Sequence, residues 1–203
     1  MVRGHHWAWI LLTSGVGVLI SLTGCRSLEP KNILKPSEIF RPEQEFGLIA
    51  ERSYTVPATT DIFLARSTPD ASLEYAPENS TDVVPDHSPV KALEGDIRGG
   101  DTLDIYATGQ ARHQPRPQIE FGPKGWIYSM SAGPANGIYA IKGNIGALVG
   151  LFDNQRQPFI IGQRKQIDVP SGARSLYLAV LDYPGASSNN QGEYLVTINV
   201  IRR

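Results

Sequence analysis

The sequence contains a single cysteine among its 203 residues, and its basic residues form no cluster or stripe. With Cys25 alone, the chain cannot form an internal disulfide, so its fold must depend on a hydrophobic core. The 19 basic and 20 acidic residues nearly balance, giving a formal net charge of −1. Proteins that bind nucleic acid usually carry a basic patch, so we do not expect nucleic acid as a partner.

Two hydrolase signatures are also missing. The sequence contains neither Gly-x-Ser-x-Gly nor His-Glu-x-x-His, and the segment Ser129-Met-Ser-Ala-Gly133 lacks the first glycine of a nucleophile elbow. A hydrolase needs a nucleophile with a base, or paired carboxylates flanking a bond. Glu94, Asp96 and Asp153 are more typical of turns. We therefore predict that the protein is not an enzyme, and a hydrolase is the less favoured alternative.

Residues 1–24 have the features of an export signal. A basic start at Arg3 precedes an apolar run from Trp7 to Leu22, which is too short and too interrupted for a convincing membrane span. The run leads into Leu22-Thr23-Gly24-Cys25, which resembles a bacterial lipobox, whose cysteine becomes the lipidated first residue. The alternative is an uncleaved anchor or an ordinary secretory signal. Several acyl chains on Cys25 would give stable membrane attachment.

The resemblance to bacterial lipoproteins also implies a location. In enterobacterial lipoproteins, a residue other than aspartate after the cysteine favours the outer membrane, and here that residue is Arg26. The sequence therefore predicts a lipid-anchored protein of the bacterial cell envelope, at the outer membrane.

The remaining chain divides into a tether and one domain. Residues 25–53 are polar and broken by prolines, so we predict a lipidated N-terminus followed by a flexible tether. Residues 54–203 form the predicted domain, which is long enough to bury a core. Within it, residues 66–88 are rich in Pro, Ser, Asp and Glu and exceed the usual connection length. We predict that this insertion is a mobile excursion or an added recognition loop.

The domain has strand signals throughout. A short apolar run at residues 62–65 is followed, from residue 90 onward, by short alternating or apolar segments between Gly and Pro turns. The strongest strand covers residues 193–201, where every second residue is apolar and shares one face: Tyr194, Val196, Ile198 and Val200. Since no convincing amphipathic helix interrupts this series, the pattern predicts an all-β sandwich.

The loop from Asp182 to Asn190 lies between the two strongest predicted strands, residues 175–181 and 193–201. It places the carboxylate of Asp182 and the adjacent carboxamides of Asn189 and Asn190 on a backbone that also contains Pro184, Gly185 and Gly192. Carboxylates, carboxamides and carbonyls are the hard oxygen donors that Ca²⁺ prefers. The same residue types favour tight turns, so a plain turn between strands is the alternative.

With this loop and three other patches, the sequence resembles the PA-I type galactophilic lectins, which are small jelly-roll β-sandwiches of the galactose-binding-like class. The similarity runs from about residue 61 to residue 200, without the insertion. It is carried by four patches in a fixed order: Gly100-Asp-Thr-Leu-Asp-Ile-Tyr-Ala-Thr-Gly109, Phe121-Gly-Pro-Lys-Gly125, Gly146-Ala-Leu-Val149, and Asp182-Tyr-Pro-Gly185 with Asn189-Asn190-Gln191-Gly192.

The resemblance implies a calcium site and a carbohydrate partner. Its protein ligands would be the side chains of Asp182, Asn189 and Asn190 and the backbone carbonyls of Ala186 and His113. Five protein ligands leave one or two positions in a shell of six to eight oxygens, which two neighbouring sugar hydroxyls can fill. Family lectins are tetrameric, so the resemblance leaves a homo-oligomer open.

The chain departs from the family pattern around the sugar. Ala186 replaces a threonine, His113 replaces an aromatic residue, and the segment 126–136 has no match for the histidine and glutamine that touch the sugar. Trp126 and Tyr183, with Tyr128, could instead form a stacking wall. Two functions follow: a calcium-dependent, galactose-type carbohydrate-binding lipoprotein, or an envelope accessory lipoprotein that binds protein through a degenerate sugar site.

Overall fold

The computed structural model describes residues 47–113 and 119–202. Over these residues the chain consists of antiparallel β-strands joined by turns and short 3₁₀ helices. The 3₁₀ helices cover Ile62–Leu64, Ala76–Glu78 and Ser187–Asn189. The strands are β1 (Gly47–Pro57), β2 (Ser72–Tyr75), β3 (Ser80–Val83), β4 (Val90–Ala92), β5 (Thr102–His113), β6 (Ile119–Phe121), β7 (Ser129–Ala132), β8 (Ile141–Asn144), β9 (Leu148–Phe152), β10 (Phe159–Ile160), β11 (Arg164–Asp168), β12 (Leu176–Val180) and β13 (Gln191–Arg202).

Two sheets face each other across the main core. The first has the order β1-β13-β5-β11, with β6 pairing the end of β5, and the second has the order β10-β9-β12-β4. The inward residues of both sheets are fully buried, among them Leu103 and Ile105 of β5, Leu176 and Leu178 of β12, and Val196 of β13. The predicted all-β sandwich is therefore confirmed.

The central strand β13 follows the predicted alternation. Its apolar face, from Tyr194 to Val200, is wholly buried, whereas Leu195, between two buried residues, is exposed. Because side chains on a strand alternate between faces, one register places all four apolar residues in the core.

A second apolar cluster covers the outer face of the second sheet. Val149 of β9 and Ala179 of β12 pack there against Ile62 and Phe63 and against the β7–β8 hairpin. The sequence signal for a strand at residues 62–65 is wrong, since Ile62–Leu64 is a 3₁₀ helix. The reason is local: the Asp61 carboxylate caps it by accepting a hydrogen bond from the Phe63 N–H at 2.8 Å.

The domain begins earlier than the predicted boundary at residue 54. Strand β1 starts at Gly47 and pairs antiparallel with β13 as far as Arg202, so residues 47–53 belong to the sheet and not to the tether. Its polar residues Glu51, Arg52 and Ser53 are exposed, as expected for an edge strand. The predicted signal peptide, Cys25 and the first part of the tether lie outside the described residues.

The insertion at residues 66–88 is a structured hairpin. Strands β2 and β3 pair antiparallel from Ser72↔Val83 to Tyr75↔Ser80 around the 3₁₀ helix Ala76–Glu78. Among the described residues, no helix is long and apolar enough to cross a membrane.

Candidate functional site

The predicted loop lies at one end of the sandwich, between β12 and β13. Leu181 anchors its start, since its N–H donates to the Ala147 carbonyl at 2.8 Å and its carbonyl accepts from the Gly146 N–H at 2.7 Å. The 3₁₀ helix Ser187–Asn189 then turns the chain into β13. The two strands flanking the loop are those the sequence predicted.

Three of the predicted residues come together at this loop. Asp182 and Asn190 are 3% and 4% exposed. The Asn190 carboxamide donates from Nδ2 to Asp182 Oδ2 at 2.8 Å and to the Ala58 carbonyl at 3.4 Å. Its Oδ1 therefore serves as the acceptor, and His113 Nδ1 lies 3.0 Å from it and carries the hydrogen.

His113 reaches the site through its side chain. The sequence assigned it a role only through its backbone carbonyl, but its Nδ1 also lies 3.5 Å from Asp182 Oδ2. The hydrogen bond with Asp182 raises the pKa of the imidazole above its usual value, against the opposing effect of partial burial. The charges of Asp182 and Glu78 act in the same direction.

Asn189 points to a partner that the sequence did not predict. Its Nδ2 donates to Glu78 Oε2 of the inserted hairpin at 2.7 Å. The other oxygen of Glu78, Oε1, lies 3.9 Å from His113 Nε2. Asn189 Oδ1 is buried and has no hydrogen-bond partner among the described residues. The site therefore contains a second carboxylate and an unused carboxamide oxygen.

The inserted hairpin is fixed to the loop at several points. Asp82, fully buried, accepts hydrogen bonds from the backbone N–H groups of Ser187 (2.9 Å) and Ser188 (2.7 Å). The ring of Tyr75 stacks on that of Tyr183, with centroids 5.1 Å apart and an interplanar angle of 4°. The expectation of a mobile excursion is therefore wrong, because the hairpin forms one wall of the site.

Besides Asp82, the carboxyl group of Asp61 also binds the loop backbone. Asp61 accepts the Gly185 N–H at 2.9 Å and lies beside Asp82, with which it shares a hydrogen bond. Burial raises the pKa of Asp61 to about 8, and the neighbouring Asp82 carboxylate adds to this shift, whereas hydrogen bonds from Gly185 and Phe63 oppose it. A proton on this pair lets two buried carboxyl groups hold the same loop without full charge repulsion.

Of the other predicted site residues, Ala186 and Tyr183 lie in the loop itself, where the Ala186 N–H donates to the Tyr183 carbonyl at 2.9 Å. Ala186 is fully buried at the start of the 3₁₀ turn. Trp126 is half-buried and its ring contacts Tyr128, with centroids 4.2 Å apart, while Tyr183 has one face covered by Tyr75. The stacking wall and the role of Trp126 in ligand binding stay predictions.

The donors of this site are suited to a hard cation. Within the described ranges, no group of three or more His, Cys, Asp or Glu side chains is arranged to hold a metal ion. The side-chain oxygens here are the Asp182 carboxylate and the Asn190 carboxamide, which already accept hydrogen bonds, and the Oδ1 atom of Asn189, which has no partner among the described residues. Carboxylate and carboxamide oxygens fit Ca²⁺, and a buried oxygen without a partner is the kind of group that a bound ion satisfies.

No protein-family model matches the sequence, and no curated protein matches it. Among solved structures, the chain is similar to one titled "EclA N-terminal domain; PllA-like lectin", with 19% sequence identity and a TM-score of 0.43. The match covers 73% of this chain and 94% of that chain.

Proposed function

We propose that this protein is a calcium-dependent carbohydrate-binding lipoprotein of the bacterial cell envelope. The observation that carries the proposal is the buried oxygen cluster of Asp182 and Asn190, next in the chain to Asn189, whose buried Oδ1 atom has no partner among the described residues. The cluster lies in the loop whose sequence resembles the calcium loop of galactophilic lectins.

The residues that would hold Ca²⁺ are Asp182, Asn189 and Asn190, with the backbone carbonyls of Ala186 and His113. When bound, the ion would supply vacant coordination positions that neighbouring sugar hydroxyls can fill. Asp182 would accept hydrogen bonds from those hydroxyls, and the two carboxamides could accept hydrogen bonds from them or donate to them. Half-buried Tyr183, held by Tyr75, would present apolar surface beside them.

The calcium site is tested by titrating CaCl₂ into the full chain, purified in detergent, and by following its thermal unfolding. A ligand that binds only the folded state at about 100 times its Kd adds about 2.7 kcal/mol to the free energy of unfolding. We expect calcium to raise Tm, EGTA to reverse the effect, and Asp182→Ala to abolish it. Asp86→Ala, an exposed residue of the inserted hairpin region, is the matched control.

Carbohydrate binding is tested separately on a glycan array, with and without calcium. Binding to galactose-type glycans that EGTA removes and Asp182→Ala abolishes supports the proposal. Calcium binding with no glycan bound at any concentration contradicts the lectin function.

The membrane anchor is a distinct part of the proposal. We expect Cys25 to be acylated after cleavage of residues 1–24, and the lipid to hold the protein at the outer membrane. Growth of an expressing bacterium with a clickable palmitate analogue should label the protein, and Cys25→Ser should abolish the label. Labelling of the serine variant to the same extent contradicts the anchor.

One observation favours the alternative of an accessory envelope protein. His113 Nδ1 lies 3.0 Å from Asn190 Oδ1, so the imidazole already satisfies an oxygen that a cation would need. In this second candidate the polar cluster stabilises the loop, and the domain binds a protein. It predicts that calcium leaves Tm unchanged while His113→Ala lowers it.

A further inference from the structure

The inserted hairpin lies outside the lectin resemblance, yet it supplies a charged residue to the site. Glu78 ends the 3₁₀ helix between β2 and β3. Pro77 occupies the first turn of that helix and Asn79 adopts a left-handed conformation, φ 50°, directly after it. Proline fixes φ in a first turn, and asparagine tolerates the left-handed region. The backbone therefore fixes the position from which Glu78 reaches Asn189.

We propose that Glu78 is a positioning residue: it fixes the orientation of the Asn189 carboxamide and so leaves the Oδ1 atom of Asn189 free to coordinate a cation. A carboxamide has one acceptor and one donor group. Asn189 Nδ2 donates to Glu78 Oε2 at 2.7 Å, and Oδ1 is buried without a partner in the described structure. The flipped amide would place Oδ1 against a carboxylate, which repels it, so Glu78 selects one orientation. This inference rests on the proposed calcium site.

The hairpin is held in place without Glu78. Asp82 binds the N–H groups of Ser187 and Ser188, and Tyr75 stacks on Tyr183. Removal of the Glu78 carboxylate therefore changes the Asn189 contact while the hairpin stays docked. A change in calcium affinity then reports on the orientation of the Asn189 amide and not on undocking of the inserted hairpin.

The test is calorimetric titration of CaCl₂ into the full chain in detergent, comparing wild type with Glu78→Ala and Glu78→Gln. Alanine frees the amide to rotate, and we expect calcium binding to weaken about tenfold. Glutamine offers both an acceptor and a donor, so it can pair with the Asn189 amide in either orientation, and affinity should fall between those of wild type and the alanine variant. Glu74→Ala, an exposed glutamate of the same hairpin, is the matched control.

A swapped pair supplies a second measurement if the alanine variant does not fold. Asn189→Asp presents a carboxylate oxygen whichever way its side chain is turned, so it needs no partner to orient it. Combined with Glu78→Gln, donor and acceptor are exchanged across the same contact and the wild-type charge is kept, so calcium should bind about as tightly as to wild type.

The outcomes separate this inference from the proposed function. A wild-type chain that releases no heat with calcium overturns both. A wild type that binds calcium, with Glu78→Ala binding equally well, overturns only the role of Glu78. A swapped pair that binds calcium as weakly as Glu78→Ala also overturns it, because charge at residue 78, and not orientation of the Asn189 amide, would then matter.

Discussion

The imidazole of His113 lies against the buried carboxylate of Asp182, with Nδ1 3.5 Å from Oδ2. The register of the first sheet explains this contact. Gln191 pairs with Arg112, so the next residues outward, Asn190 and His113, lie side by side where the β5–β13 ladder ends. A half-buried histidine thus contacts the buried acid of the loop, and its pKa is raised.

Asp182→Asn should lower the pKa of His113, because it removes the charge and acceptor that contribute most to the upward shift. Histidine NMR titration of wild type and variant measures this directly, and the other histidine resonances are the internal control. An unchanged His113 pKa contradicts the assigned contact. The sign for stability follows: this contact contributes fully below the ordinary pKa of 6.5 and is lost as pH rises through the raised folded value.

Asp61 should make the domain less stable as pH rises. Its pKa is raised from 3.8 to about 8 in the folded protein, so the folded state holds this proton more tightly than the unfolded state. The contribution of Asp61 to the free energy of unfolding is therefore fully present below pH 3.8, and it declines as the pH rises to about 8. Asp61→Asn cannot titrate.

The measurement is the difference in Tm between wild type and Asp61→Asn across this pH range. The wild type should lose its advantage as pH rises. Parallel curves would show that Asp61 is ionised throughout and that the carboxyl pair shares no proton.

Gly185→Ala should loosen the hairpin from the loop. Gly185 has φ +85°, and a Cβ there would lie 2.7 Å from the Leu73 carbonyl oxygen and 2.8 Å from the carbonyl carbon of Glu74. The left-handed conformation alone costs an alanine about 1–2 kcal/mol, and the backbone clash adds to this. Gly95→Ala is the control, since Gly95 has φ +76° with open space around its Cβ.

Chemical denaturation of both variants separates the cost of the left-handed backbone conformation from the cost of the Cβ collision with the hairpin. Gly185→Ala should lose clearly more stability than Gly95→Ala and should also weaken calcium binding. Equal losses would mean that the hairpin is not tightly packed on the loop.

Asp101→Asn should destabilise the first sheet at neutral pH. The buried Asp101 carboxylate accepts two hydrogen bonds from the Arg202 guanidinium, at 2.9 and 2.7 Å. These bonds hold the pKa of Asp101 below its ordinary value of 3.8. Loss of a charged hydrogen-bond pair costs about 1.5–3 kcal/mol.

The contribution of Asp101 is present above its unfolded pKa and is lost as pH falls through the depressed folded value. The stability gap between wild type and Asp101→Asn, measured by urea unfolding, should therefore narrow in strong acid. A gap that is constant with pH would assign the loss to packing.

The sequence predicted what depends on local pattern. The alternation of apolar residues from Tyr194 to Val200 lies within a single strand and predicts that one face of it is buried. The structure confirms this. Asp182 and Asn190 are eight residues apart within one loop, so their meeting could be expected from the turn residues between them.

The missed features all depend on contacts between distant residues. Asp82 bonds Ser187 across 105 positions, and Glu78 bonds Asn189 across 111. The polar composition of residues 66–88 does not distinguish a free loop from a hairpin whose polar groups bind residues far away in the sequence. The His113 side chain was missed because its orientation depends on the strand register, and strand β1 was missed because edge strands tolerate polar residues.

The docking of Asp82 limits how this domain can be re-engineered. A foreign hairpin grafted in place of residues 66–88 would leave the Ser187 and Ser188 N–H groups buried without acceptors unless it carries a carboxylate at the same depth. Gly185 must also be retained, because a Cβ at that position would collide with the backbone of β2. Libraries intended to change ligand preference should therefore retain both stems of the hairpin and Glu78 at its tip.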